Sequence, residues 1–436
     1  MGVMKSFVRS ICYSLGLRSA YQRVADIKKI VTHVHDRVRC RHNYQKVLKR
    51  IRGGACDQKL TVLFWVSNRA KWKTQSLVDA LKASGRYEPL VAVAVDEQDS
   101  RKLDDAALRR KLQDEVAYYE GRGNACVTAY DCESRRAIPL SKFRPDIVFY
   151  QEPLSFCKEH TLQSVSRYAL TFYMPYSVEM SGGNRWFQRQ EDFHHLLFAR
   201  YALTEYDAEY LREITPRRAG DIISIGHTML DEYLQPEDPN RNRALDGCII
   251  YAPHFSFHTP SRHTTISSFD ENGLEMLAFA QAHPKYKWVF KPHPALASNL
   301  RGELKWSDDQ IQAYYDAWGQ LGAISTDSNY ITLFRHSAAL ITDSASFLCE
   351  YPPSGHPLIR LIPKHFDFPM RPGFGELVST LYEVRSMEEM TAIFNRVILN
   401  GDDYKRDQRI KAAASLGGAA ESCASRILNH IDGLLR

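Results

Sequence analysis

Short, nearly continuous apolar runs alternate with amphipathic stretches along most of this chain, and no other feature restricts its fold as strongly. "LTVLFWVSN" (60–68), "EPLVAVAVD" (88–96), "NACVTAYD" (124–131) and "PDIVFYQEP" (145–153) read as strands, with helical stretches at 74–84 and 101–119 between them. A strand that is apolar on successive residues must bury both faces, which a parallel sheet covered by helices on either side provides. The pattern continues through "YALTFYMPYS", "ARYALTEYDAEYLREI" and "DIISIGHTMLDEYL" until the polar stretch "QPEDPNRNRALDG" (235–247), which reads as a linker. A second alternating block follows, with "CIIYAPHFS" (248–256), a helix near 272–283, "KWVFKPHP", "LGAISTD", "AALITDSASFLCEY" and "HPLIRLIP". At 436 residues the chain is too long for one ordinary core. The expectation is an α/β protein of two doubly wound, Rossmann-like parallel-sheet domains, 53–234 and 248–436, behind a basic helical segment, 1–52.

Charge is distributed unevenly. Residues 1–52 hold thirteen Lys or Arg against only Asp26 and Asp36, hence +11, while the whole chain is +6 and the remainder therefore −5. Val24, Ile27, Val31, Val34 and Val38 recur at steps of three and four, which places them on one face of a helix with basic residues around it. Such a helix can lie on an anionic membrane surface, pack on the protein itself, or grip nucleic acid. Nucleic acid is the weakest of the three, because no aromatic interleaving or binding module accompanies the charge. The start of the chain lacks a long apolar core for a secretory signal, and no apolar run reaches the ~20 residues of a membrane span. The expected location is cytoplasmic, peripheral on the inner face of the cell membrane. Nine cysteines without a CxxC pair or metal-finger spacing read as free thiols.

Ligands of open parallel sheets bind beyond the carboxyl ends of the strands. Three strands of the second block end in polar groups that converge on one crevice: His254 in "YAPHFSFH", Lys291 and His293 in "FKPHP", and Asp343, Ser344 and Ser346 in "ITDSAS". Asp343 and the serines stand where a helix starts, a place for an N-cap and equally for an anion drawn to unpaired N–H groups. Lys291 supplies a compact positive charge and His293 a hydrogen-bond donor or proton source. The chain has no DxD, GxGxxG or Walker lysine loop, so no metal and no cofactor is expected, and side chains must neutralise a leaving phosphate.

"IIYAPHF", "KWVFKPHP", "AALITDSASFLCEY" and "HPLIRL", in this order and spacing, resemble the C-terminal half of the CDP-glycerol glycerophosphotransferase family, which builds teichoic acid and related capsule polymers. "IGHTMLDEYL" and "PDIVFYQEP" are similar to that family's preceding segments, so the resemblance spans roughly 145–365. It implies a GT-B architecture with the active site between the domains, and peripheral membrane proteins that act on lipid-linked acceptors. It puts His293, Ser344 and Ser346 on the pyrophosphate of a nucleotide donor, and Glu350 near a ribose or in support of the loop. It departs from the family in the first domain, where an HGTP-like motif is usual and "FYMPYSVEMSGGNRW" (172–186) has no histidine. Glu179 is then the expected base, with His194 or His195 approaching from the next helix.

The expected activity is transfer of glycerol phosphate from a CDP-linked donor to a hydroxyl of a surface glycan or lipid-linked acceptor, with release of CMP. A sugar transferase using a nucleotide sugar on the same scaffold, and a non-catalytic membrane-bound scaffold with a degenerate nucleotide site, are the alternatives.

Overall fold

The computed structural model describes residues 18–54, 58–153, 156–178, 180, 191–215, 218, 220–237, 239, 241–259, 265–327, 330–366, 368, 370–371, 373–416 and 421–436, with side chains from residue 31 onward except 191–192. The first lobe is a seven-stranded sheet. Its strands are β1 (Leu60–Val66), β2 (Tyr87–Val93), β3 (Cys126–Thr128), β6 (Ile147–Tyr150), β7 (Leu170–Tyr173), β8 (Ala199–Ala202) and β9 (Asp221–Ser224). A small hairpin of β4 (Tyr130–Asp131) and β5 (Arg136–Ala137) interrupts the path from β3 to β6. The spatial order is β3-β2-β1-β6-β7-β8-β9, and every adjacent pair is parallel. Phe64, Phe149 and Phe172 stack across three neighbouring strands with ring centroids 5.1 and 5.2 Å apart. These are the apolar runs of the sequence, buried on both faces as their continuity requires.

The second lobe has six strands: β10 (Ile249–Ala252), β11 (Trp288–Phe290), β12 (Gly322–Ile324), β13 (Ala339–Thr342), β14 (Leu358–Leu361) and β15 (Tyr382–Val384). Their order is β12-β11-β10-β13-β14-β15, again wholly parallel. Strand order reverses between β1 and β6 in the first lobe and between β10 and β13 in the second. These are the two topological switch points, where a parallel sheet leaves a crevice at its carboxyl edge.

The expected boundary at the end of the chain needs correction. The last helix, Cys423–Leu434, leaves the second lobe and inserts Ile427 and Ile431 into the first lobe's core. Asp231, in the crossing segment Thr228–Leu234, accepts the backbone N–H groups of Cys423 at 2.6 Å and Ala424 at 2.9 Å and the Ser76 hydroxyl at 2.9 Å. Gly226 has φ +96°, and a Cβ there would stand 2.6 Å from the Cys423 Sγ. "IGHTMLDEYL" is therefore a docking segment for the chain's own end.

The helix Arg18–Arg52 also differs from its expected packing. Cys40, Tyr44 and Val47 bury the side that faces the first lobe, and the Tyr44 hydroxyl donates to the Leu196 carbonyl at 2.7 Å. Val31, Val34 and Val38 point away and are 61%, 38% and 61% exposed. Self-packing thus uses a different face from the valine stripe. The side chains of Val24 and Ile27 lie outside the described residues.

Arg371 of the second lobe and Asp207 of the first form a buried ion pair between the lobes, while the Arg371 N–H donates to the Met180 carbonyl at 2.8 Å. Removing one member of a buried pair leaves the other charge uncompensated. Arg371→Met is expected to cost about 3–5 kcal/mol in urea unfolding, and Arg371→Met combined with Asp207→Leu less than that.

Candidate functional site

The second-lobe switch point collects most of the expected residues, because register aligns the strand ends. Tyr251 pairs with Phe290 and Ala252 with Thr342, so the residues that follow β10, β11 and β13 emerge side by side. His254, after β10, and His293, after β11, have ring centroids 5.0 Å apart, with Phe255 4.4 Å from His293. The Ala295 N–H donates to His293 Nδ1 at 3.0 Å, which leaves the imidazole proton on Nε2. The Ser256 N–H donates to His254 Nδ1 at 3.2 Å and sets the same tautomer. Burial, and then the positive charge of Lys291, push His293 down to about 4. At neutral pH it is an uncharged hydrogen-bond donor.

Lys291 is buried at the strand end, its ammonium donating to the Asp327 carbonyl at 2.8 Å and lying 4.6 Å from the Tyr330 ring centre. Burial and the charge of Lys73 lower it to about 8. Lys73 arrives from the first lobe, in the loop after β1, with its ammonium 4.5 Å from the same ring. Glu350 is fully buried and accepts the Tyr330 hydroxyl at 2.6 Å; burial raises its carboxyl, while Lys73 and Lys291 both pull it down. Two lysines, one from each lobe, thus lie against one tyrosine ring and near one buried carboxyl. Beside them a small cleft is lined by Trp72, Lys73, Gln75, Arg122, Glu232 and Ile331.

Several expected residues take other roles. Asp343 is 3% exposed, and its carboxylate accepts the backbone N–H of His254 at 2.5 Å, that of Ser268 at 2.7 Å and the hydroxyls of Ser267 and Ser268 at 3.2 Å. Burial raises it to about 6 against those four hydrogen bonds. It shapes the loop that carries His254, and its oxygens face protein donors. Ser344 and Ser346 lie on the turn after β13, but the helix they precede, Phe347–Glu350, is one turn long and has no side-chain cap. So short a helix has little macrodipole, and the positive charge at this strand edge is that of Lys291. Glu350 stands beneath Lys73 and Lys291 as their counter-charge. Glu179 lies outside the described residues. His194 and His195 are buried beneath the N-terminal helix, His194 against Arg200 at 2.7 Å and His195 against His33 at 3.0 Å.

The sequence reading missed Lys73 and Tyr330. Lys73 carried the signal that exposed Lys291: a lysine in the polar loop at the carboxyl end of a buried strand. Tyr330 had none, since only the fold brings it to the lysines.

No protein-family model matches the chain, and no curated protein matches it by sequence. Solved structures match over most of its length. The fold is similar to that of the UDP-GlcNAc 2-epimerase from Neisseria meningitidis bound to UDP-GlcNAc, with TM-score 0.56 and 13% identity over 86% of this chain and 100% of that one. It is also similar to MnaA of S. aureus solved with UDP, with TM-score 0.55 and 15% identity over 86% of this chain and 97% of that one. The wall teichoic acid polymerase TagF, soaked with CDPG, matches at TM-score 0.53 and 12% identity over 94% of this chain and 98% of that one. The fold is GT-B. Within a GT-B fold the second-lobe switch point and the facing loop of the first lobe are the two walls of one interdomain crevice, and Lys73 and Lys291 meet across it.

Asp343→Ala removes the acceptor of two loop N–H groups, at about 1–3 kcal/mol for each donor left buried without a partner. The variant is expected to lose stability in urea unfolding, whereas Ser346→Ala stays within about 0.5 kcal/mol of the wild type.

Proposed function

We propose that this chain is a transferase that moves glycerol phosphate from CDP-glycerol to a hydroxyl of a cell-surface glycan or of its lipid-linked precursor, with release of CMP. The observation that carries it is the set of groups at the second-lobe switch point: the uncharged His293 imidazole with its Nε2 proton, the His254 ring 5.0 Å from it, and the buried Lys291. A diphosphate needs hydrogen-bond donors and a cation held without mobile water, and these residues supply both. The similarity in fold to TagF, over 94% of this chain, supports a CDP-linked polyol donor.

The acceptor oxygen attacks the β-phosphorus of the donor, the bond from that phosphorus to the bridging oxygen breaks, and CMP departs with the bonding electrons. Lys291 and His293 stabilise the charge that develops on the leaving phosphate, Lys73 approaches from the first lobe, and the hydroxyls of Ser344 and Ser346 line the turn beside it. The similarity to folds solved with UDP-GlcNAc and UDP favours a second reading, a GT-B glycosyltransferase taking a nucleotide sugar for capsule or lipopolysaccharide synthesis.

A bound donor stabilises the folded state by about 2.7 kcal/mol at a hundredfold excess over Kd. CDP-glycerol is expected to raise the melting temperature more than UDP-GlcNAc and to yield CMP with a glycerol phosphate oligomer as acceptor; the reverse order selects the second reading. Lys291 is lowered to about 8, so it is charged below that pH and loses its charge above it. The diphosphate diester does not titrate there, so affinity for CDP-glycerol is expected to fall with rising pH, by up to about tenfold per unit above pH 8, since one proton is linked. In Lys291→Met affinity is weaker and that slope disappears.

The exposed stripe of Val31, Val34 and Val38, with Arg37, Arg41 and Lys49 on the same helix, supports an anionic membrane surface as the place of action. No helix among the described residues is long and apolar enough to cross a membrane. Apolar burial together with ~1 kcal/mol per basic residue near anionic lipid suits a peripheral hold on the inner face. The protein is expected to sediment with phosphatidylserine vesicles at low salt, and Val31→Asp with Val38→Asp to remove that binding. Equal sedimentation with phosphatidylcholine alone counts against it.

A further inference from the structure

The first lobe has its own switch point, between β1 and β6, and a buried carboxylate there is bonded, among the described residues, to side chains and not to the backbone. Ser67 follows β1 and Glu152 follows β6 by one residue more; they are 1% and 4% exposed. The Ser67 hydroxyl donates to Glu152 Oε1 and the Lys71 ammonium to Oε2. Gln151 ties the crevice together, its side chain accepting the Lys73 N–H at 2.7 Å and its carbonyl the Tyr176 N–H at 2.9 Å.

Four of the other buried acids among the described residues each accept a backbone N–H, while Glu350 accepts the Tyr330 hydroxyl of the second lobe. Asp146 accepts from Thr61, Asp207 from Leu203, Asp231 from Cys423 and Asp343 from His254. Those carboxylates hold the chain in place. Among the described residues Glu152 is bonded to two side chains of one loop, and one of them, Lys71, is 32% exposed at the crevice. An incoming hydroxyl can exchange with such partners at small cost to the fold. Lys71 and Lys73 are two residues apart, at most about 7 Å between Cα atoms. The same loop therefore touches Glu152 with one lysine and the Tyr330 face beside Lys291 with the other.

The geometry points to Ser67, Lys71 and Glu152 as the subsite for the hydroxyl of the acceptor, with Glu152 as the base that takes its proton. This rests on the transfer reading given above. The acceptor oxygen forms its bond to the β-phosphorus, its proton passes to the Glu152 carboxylate, and the electron pair of the broken P–O bond leaves on CMP. Ser67 donates to the other carboxylate oxygen and holds the group in position, while Lys71 supplies the counter-charge when the site is empty.

The test compares the wild type, Glu152→Gln and Glu152→Asp, with CDP-glycerol as donor and a glycerol phosphate oligomer as acceptor. Glu152→Gln is expected to keep the wild-type melting temperature rise with CDP-glycerol and to release CMP at least about 10²-fold more slowly, the range typical of a lost general base. Glu152→Asp, which restores a carboxylate on a shorter stem, recovers part of kcat with an unchanged donor KM. Release by Glu152→Gln within threefold of the wild type, or loss of donor-induced stabilisation in both variants, overturns the assignment. If CDP-glycerol neither stabilises the wild type nor gives CMP, the transfer reading itself falls and this inference with it, an outcome visible before any variant is made.

Discussion

Asp231 holds together the parts of the chain on which the crevice depends. It is fully buried and joins the helix Gln75–Ala83 through Ser76, the crossing segment on which it lies, and the first turn of the final helix through two backbone N–H groups. A carboxylate at a helix start satisfies orphan donors and favours the positive end of the peptide dipoles. The final helix then fills the first lobe's core, so the polypeptide passes between the lobes twice. Together with the Arg371–Asp207 pair, this fixes the loop after β1 opposite the second lobe.

That placement explains the electrostatics of the crevice. Lys73 and Lys291 would each be ordinary surface lysines on separate domains. Brought to one tyrosine ring and one buried carboxyl, both are lowered by burial, Lys291 further by the charge of Lys73, while Glu350 opposes the shift of each. His293 stays neutral for a related reason, since burial and Lys291 both oppose a second positive charge there. The crevice therefore offers hydrogen-bond donors of two kinds, charged from lysine and uncharged from the His293 imidazole.

The buried acids differ in what the fold sets against them. Asp343 is spent on loop N–H groups, although it stands in the motif that drew attention to the site, whereas Glu152 is bonded to side chains that can give way. Both residues follow a buried strand by one or two positions. Their difference lies in what the neighbouring loop presents to them, and that depends on long-range placement.

Much of the architecture was legible in the sequence. The apolar runs that became β1, β6, β10, β11 and β13 have to be buried on both faces, and two such blocks around a polar stretch imply two parallel sheets. Parallel strands also put their ends on one edge, so His254, Lys291, His293 and Asp343 were bound to be neighbours, whatever their individual roles. Periodicity placed Val31, Val34 and Val38 on one face of a helix, but could not say which face meets the first lobe, because Cys40, Tyr44 and Val47 form a second stripe. Pairing across lobes was beyond the reach of local pattern: Lys73 with Tyr330, Arg371 with Asp207, and Asp231 with the N-terminus of the last helix. Local sequence dictates hydrogen-bonding period and burial; which side chains meet over hundreds of residues is decided only when the two sheets, the crossing segment and the final helix pack against one another.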